Sequence, residues 1–228
     1  MPAVGEMDMV PGPDQIPRPR VVAVVLAAGF STRMGRPKAL LEFDGPVCLD
    51  LVLGACAEAA LAGAVVVTAP DGEAVRARAA AAGLPALLAV NDHPERGMLS
   101  SLQAGLRHLP AGTDAFFIYP VDFPLSPARE LARLVDAWAG RGPAAAARIF
   151  IPSFARRRGH PVLLDAALAP ELLALGEGGS ARDVLAAHAA AIAHVDAADD
   201  RVLMDMDTPD DYRRCLARYR LDHGGGPR

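Results

Sequence analysis

The chain has 228 residues, 52% of them hydrophobic, and a formal net charge of -4 with a pI of about 5.8. That length fits one domain at roughly 100–200 residues per domain, with enough apolar content for a sizeable core. The acidic balance argues against a general nucleic-acid or membrane-surface binder, and no apolar run reaches the roughly 18 residues of a spanning helix.

In chain order, residues 1–20 hold five prolines and little apolar content, so they are expected to form a disordered arm. Acidic residues appear early and no apolar core follows them, so no secretory signal is expected. Short apolar runs then alternate with helical patterns. Strands are expected at 21–27, 64–69, 86–90 and 115–120, each β-branched or aromatic and bounded by turn formers. Continuous apolar runs of this kind read as strands buried on both faces of a parallel sheet. Ala-, Leu-, Glu- and Arg-rich segments near 47–60, 72–82, 99–108 and 127–139 carry helical periodicity, and the alternation predicts a doubly wound α/β sheet.

The second half is less regular. "RIFIPSF" (148–154) and "HPVLL" (160–164) read as two strands around the basic turn "ARRRG". Helices are expected near 166–175 and 180–190, a short strand at 191–195, and a last helix over 207–219. Asp207 or Thr208 is its N-cap and Pro209 its first residue. The segment from Leu221 onward reads as a disordered tail, leaving one domain over 21–220. Cys48, Cys56 and Cys215 form no C-x-x-C pair, which fits a reduced, cytoplasmic protein without a disulfide framework.

Lys38 is the only lysine beside 22 arginines. Codon bias explains the scarcity, but it makes the one survivor informative: it marks a place where a compact ammonium is needed rather than a planar guanidinium. Lys38 follows a small-residue loop, Ala27-Ala28-Gly29, that leaves the first strand at the sheet edge where open α/β folds bind ligands. Gly29 and Gly35 are too widely spaced for a P-loop, and the dinucleotide fingerprint G-x-G-x-x-G is absent. An ordinary glycine-rich surface loop with solvated cations is the competing reading.

The stretch "LAAGFSTRMGRPKALLEF" resembles the L-A-A/G-G-x-S-x-R-M-G-x-x-K signature of nucleotidyltransferases with a GT-A-type, Rossmann-like fold. Within them it is most similar to the MobA-like NTP transferases, which include molybdenum cofactor cytidylyl- and guanylyltransferases. The resemblance runs from about 21 to 219, with "GMLSSLQAGL", "PVDFPL", "RRGHPVLL", "GSARDVL" and "MDMDTPDDY" in order. It implies a three-layer α/β/α fold with a mostly parallel sheet. Leu26, Ala27, Ala28, Gly29, Arg33 and Lys38 would then hold the nucleotide's triphosphate, and Gly97, Ser100 and Ser101 would lie near its base and ribose. Asp122 would be the metal-binding aspartate for Mg²⁺, although Val121 departs from the small residue common before it. Asp207 is favoured as the second carboxylate, with Asp205 as the alternative; alone, each aspartate also suits a turn or cap. Arg158 and His160 would face the acceptor, while a solvated basic turn remains the plain reading of Arg156 and Arg157. Arg33, Lys38 and Asp122 are thus the expected catalytic set. The implied partners are a nucleoside triphosphate, a phosphate-bearing acceptor and a molybdoenzyme, with no nucleic acid and no membrane. Leu-Ala-Ala-Gly leans towards CTP over GTP. A sugar-phosphate acceptor, a non-catalytic cofactor chaperone and a dinucleotide-dependent reductase stay open as alternatives.

Overall fold

A computed structural model describes residues 18–29, 34–142 and 145–224. The expected strands form as β1 (Val21–Leu26), β2 (Gly63–Thr68), β3 (Ala86–Val90) and β4 (Ala115–Pro120), and later β5 (Ile149–Phe154), β6 (Arg157–Arg158), β7 (Val162–Asp165) and β8 (Ile192–Asp196). The helices are α1 (Cys48–Glu58), α2 (Glu73–Ala80), α3 (Met98–Leu106), α4 (Ala128–Ala139), α5 (Ala169–Ala174), α6 (Ala181–Ala187) and α7 (Pro209–Asp222).

Among the described residues the strands join in one sheet of order β3-β2-β1-β4-β7-β5-β6, with β8 beside β5. β3, β2, β1 and β4 run parallel; β7 is antiparallel to β4 and β5, and β8 is parallel to β5. The run Val21–Leu26 is buried throughout because both sheet faces are covered. Val21, Ala23 and Val25 enter one core with α1, α2, α4 and α7, while Val22, Val24 and Leu26 enter a second with α3, α5 and α6. Alternate side chains of one strand thus feed opposite layers, giving the three-layer, Rossmann-like GT-A-type architecture.

Three differences from the sequence reading have physical causes. β3 was expected to be buried on both faces, but it is the sheet's edge, so Leu87, Leu88 and Val90 are 48%, 38% and 39% exposed. The last helix starts at Pro209, as expected, but runs to Asp222, past the expected end and into the first residues of the expected tail. Its N-cap is Thr208, whose hydroxyl accepts the Asp211 N–H at 3.2 Å while Asp211 accepts the Thr208 N–H at 2.8 Å. Asp207 is therefore not needed as a cap. The basic turn is a tight β5–β6 hairpin with Ala155 and Arg156 at φ 48° and 64°, as a two-residue mirror-image turn demands. Of the N-terminal arm, residues 1–17 lie outside the described residues; Arg20 is held by its N–H to Asp114 Oδ2 at 2.8 Å.

Candidate active site

β1 and β4 are adjacent and parallel, so their C-terminal ends open on the same sheet edge. There the chain forms a cleft of about 300 Å³. Leu26, Ala27, Ala28 and Gly29 line one side, following directly from β1. Ala27 is fixed by its N–H to the Val67 carbonyl at 2.8 Å, and a Cβ at Gly29 would project into open space. Asp122 lies just past the end of β4 and Lys38 on the short 3-10 turn Lys38–Leu40; both line the cleft. Gly97 and Ser101 close the other side at the start of α3. Gly97 sits at φ 88°, in the region that strains any residue with a side chain, so the glycine sets the entry of α3. Pro94 and Met98 also line this wall; the sequence reading did not single them out.

Lys38 joins two carboxylates that are far apart in sequence. Its ammonium donates to Asp122 Oδ2 at 3.2 Å and to Asp207 Oδ1 at 2.7 Å. Lys38 and Asp122 are largely buried, with side chains 16% and 23% exposed, whereas Asp207 is 55% exposed. Burial works against the Lys38 charge, but the hydrogen bond to Asp207 and the charge of Asp122 outweigh it, so its pKa is raised. Asp122 is pushed up as well, first by burial, with Lys38 only partly offsetting that and the Asp207 charge adding to it. The other oxygen of Asp122, Oδ1, is buried with no hydrogen-bond partner. Asp207 and not Asp205 shares the ammonium with Asp122, so the structure pairs the favoured carboxylate of the two. Asp205 has its own pKa raised, by burial and then by the Asp207 charge.

An orphaned buried carboxylate oxygen beside a second carboxylate is a donor set suited to a hard divalent cation. Among the described residues no group of three or more His, Cys, Asp or Glu side chains could hold a metal. Two carboxylates nonetheless fit Mg²⁺, which is usually bound by one or two carboxylates plus substrate phosphates.

His160 follows Gly159 at the entry to β7. Its ring packs 4.5 Å from that of Phe123, the neighbour of Asp122, and its carbonyl accepts the Ser126 hydroxyl at 2.9 Å. His160 Nδ1 is buried and unpartnered. Burial drives the His160 pKa down to about 4, with Asp205 opposing and Arg182 assisting, so the ring is neutral at pH 7. Gly159 is required here, because a Cβ would stand 2.5 Å from the Val202 carbonyl. Arg158 is exposed on β6, and no hydrogen bond or ion pair joins it to the cleft among the described residues. Ser100 does not line the cleft; its hydroxyl donates to the His93 and Gly97 carbonyls, at 3.0 and 2.8 Å. Arg33 lies outside the described residues.

The sequence matches the MobA-like NTP transferase domain over residues 23–209. It is 34% identical to a molybdenum cofactor guanylyltransferase of Cereibacter sphaeroides over 208 residues, covering 89% of this chain and 99% of that protein. It is 32% identical to the nicotine blue oxidoreductase of Paenarthrobacter nicotinovorans over 207 residues, covering 87% and 97%. Among solved structures, Rv0371c of Mycobacterium tuberculosis H37Rv in complex with manganese superimposes with a TM-score of 0.65 at 26% identity, covering 87% of this chain and 98% of that one.

Proposed function

The chain belongs to the MobA-like NTP transferase family, and from that membership we propose that it moves a nucleoside monophosphate, CMP from CTP in the favoured reading, onto a phosphate of a molybdenum cofactor-type acceptor. An acceptor phosphate oxygen attacks the α-phosphorus, the bond from that phosphorus to the bridging oxygen breaks, and pyrophosphate leaves with the electron pair. A phosphate is already anionic at neutral pH, so the chain needs no serine or cysteine nucleophile. The observation that carries this reading is Lys38, which lines the cleft with Asp122 and joins it to Asp207.

Asp122 and Asp207 would hold Mg²⁺, which when bound supplies neutralising charge to the triphosphate and to the leaving pyrophosphate. Lys38 and Arg33 would supply the positive charge that aligns the phosphates. The Ala27–Gly29 backbone would sit close to the phosphates, Gly97 and Ser101 would border base and ribose, and Ser100 would brace that wall. His160, as a neutral imidazole, and Arg158, by its charge, would position the acceptor. A molybdoenzyme would take the product, in the cytoplasm; no helix among the described residues is long and apolar enough to cross a membrane.

A reductase is the second reading, because one relative bears an oxidoreductase name. Pyrophosphate release, measured with CTP, GTP, ATP and UTP, Mg²⁺ and either molybdopterin-bound molybdenum or sugar phosphates, distinguishes the readings. Acceptor-dependent release with CTP or GTP is the expected result. No release from any pair, together with oxidation of NADH or NADPH by a dye substrate, would replace the transferase reading with the reductase.

A further inference from the structure

The wall of the cleft opposite Lys38 contains a hydrogen-bond relay that ends on Ser101. Asn91, just past the end of β3 and only 5% exposed, is at its centre. Its Oδ1 accepts the His93 backbone N–H at 3.0 Å. A backbone N–H can only donate, so the orientation of the amide is fixed: Nδ2 must face the serines. Nδ2 donates to Ser100 Oγ and to Ser101 Oγ, both at 2.9 Å. Its own backbone N–H donates to the Thr68 carbonyl at 2.8 Å, which ties the relay to the end of β2.

The two serines then differ. Ser100 spends its hydroxyl proton on backbone carbonyls, as described above. Ser101 is 7% exposed, lines the cleft, and has its oxygen engaged as an acceptor from Asn91. No acceptor among the described residues takes the Ser101 proton. A hydroxyl whose oxygen is already receiving a donor directs its hydrogen elsewhere, and here the open direction is the cleft.

We propose that Asn91 is a positioning residue that sets Ser101 as a hydrogen-bond donor to the nucleobase of the bound triphosphate, reading a carbonyl oxygen or ring nitrogen on its edge. The inference rests on the nucleotide reading of the cleft. Asn91 touches no substrate itself; it acts through the polarity it imposes on Ser101. Pro94 and Met98 flank the same wall and supply apolar contact to the base.

Titration of CTP and of GTP, with Mg²⁺ and without acceptor, into wild type, Asn91→Ala, Ser101→Ala and the double variant tests this. Ser101→Ala and Asn91→Ala should each weaken binding of the preferred nucleotide by about tenfold, the size of one lost hydrogen bond to a buried partner. The double variant should bind no more weakly than Ser101→Ala, because Asn91 acts through Ser101 alone. If Asn91→Ala does not fold, Asn91→Asp replaces it: the carboxylate keeps the His93 contact but draws the Ser101 proton back, and the weakening should be at least as large. Unchanged binding in either single variant, or losses that multiply in the double variant, would overturn the relay. If wild type binds neither CTP nor GTP, the nucleotide reading fails first and the relay with it.

Discussion

On the parallel side of the sheet, Asn91 bonds His93 and both serines, Ser100 is committed to carbonyls and Lys38 joins Asp122 to Asp207, while Asp122 Oδ1 is buried without a partner. On the mixed side, built from β7, β5, β6 and β8, His160 keeps a covered nitrogen with no partner and Arg158 stands in solvent. The contrast shows how one fold divides its work. On the side proposed to take the nucleotide, Lys38 pairs the two carboxylates and would pass those contacts to Mg²⁺, and its own charge to the phosphates, on binding. The side proposed to take the acceptor retains an unmet hydrogen-bonding group in the covered His160 nitrogen, a cost that a ligand recovers only if the ring is uncovered.

The largest effect that would sharpen this contrast is at Lys38. Lys38→Ala should lower the turnover of pyrophosphate release by about 10²–10³-fold, the size expected for one preorganised electrostatic contact. Lys38→Arg should also be poorly active, because a planar guanidinium cannot stand as a point charge between the two carboxylates. Near-wild-type turnover in Lys38→Arg would remove the distinction drawn for the chain's one lysine.

A smaller effect is expected across the sheet. His160→Gln should raise the acceptor KM by about tenfold and leave nucleotide binding unchanged. The same variant carries a pH signature. The His160 pKa in the folded chain, about 4, lies below the ordinary 6.5, so the unfolded chain binds the extra proton first as pH falls. Wild type should therefore lose stability on acidification from about pH 6.5 to about 4, and more steeply than His160→Gln in thermal melts over that window. Parallel pH profiles would mean that His160 is not held neutral by the fold.

Much of this was legible in the sequence, for identifiable reasons. Val21–Leu26 and Ala115–Pro120 are uninterrupted apolar runs, and only a strand covered on both faces hides such a run. The Thr208-Pro209 start of α7 follows from capping chemistry, though the cap belongs to Thr208 and Asp211 and leaves Asp207 free to face Lys38. The edge position of β3 was not legible, because strand order is set by crossovers and not by the composition of "ALLAV". Asn91 was missed for a similar reason. Its signal, an asparagine after a strand and ten residues before Ser101, is shared by countless turn residues, and only the convergence of β2, β3 and α3 gives it a role.

Asp122 and Asp207, with Lys38 between them, are proposed to be the metal- and triphosphate-holding set. Electron paramagnetic resonance of Mn²⁺ added to wild type, Asp122→Asn and Asp207→Asn, with and without CTP or GTP, tests it without any acceptor. The expected result is weak Mn²⁺ binding to wild type alone, much tighter binding with the nucleotide present, and loss of that tight site in Asp122→Asn, with a lesser loss in Asp207→Asn. Nucleotide-dependent Mn²⁺ binding in Asp122→Asn equal to that of wild type would contradict it.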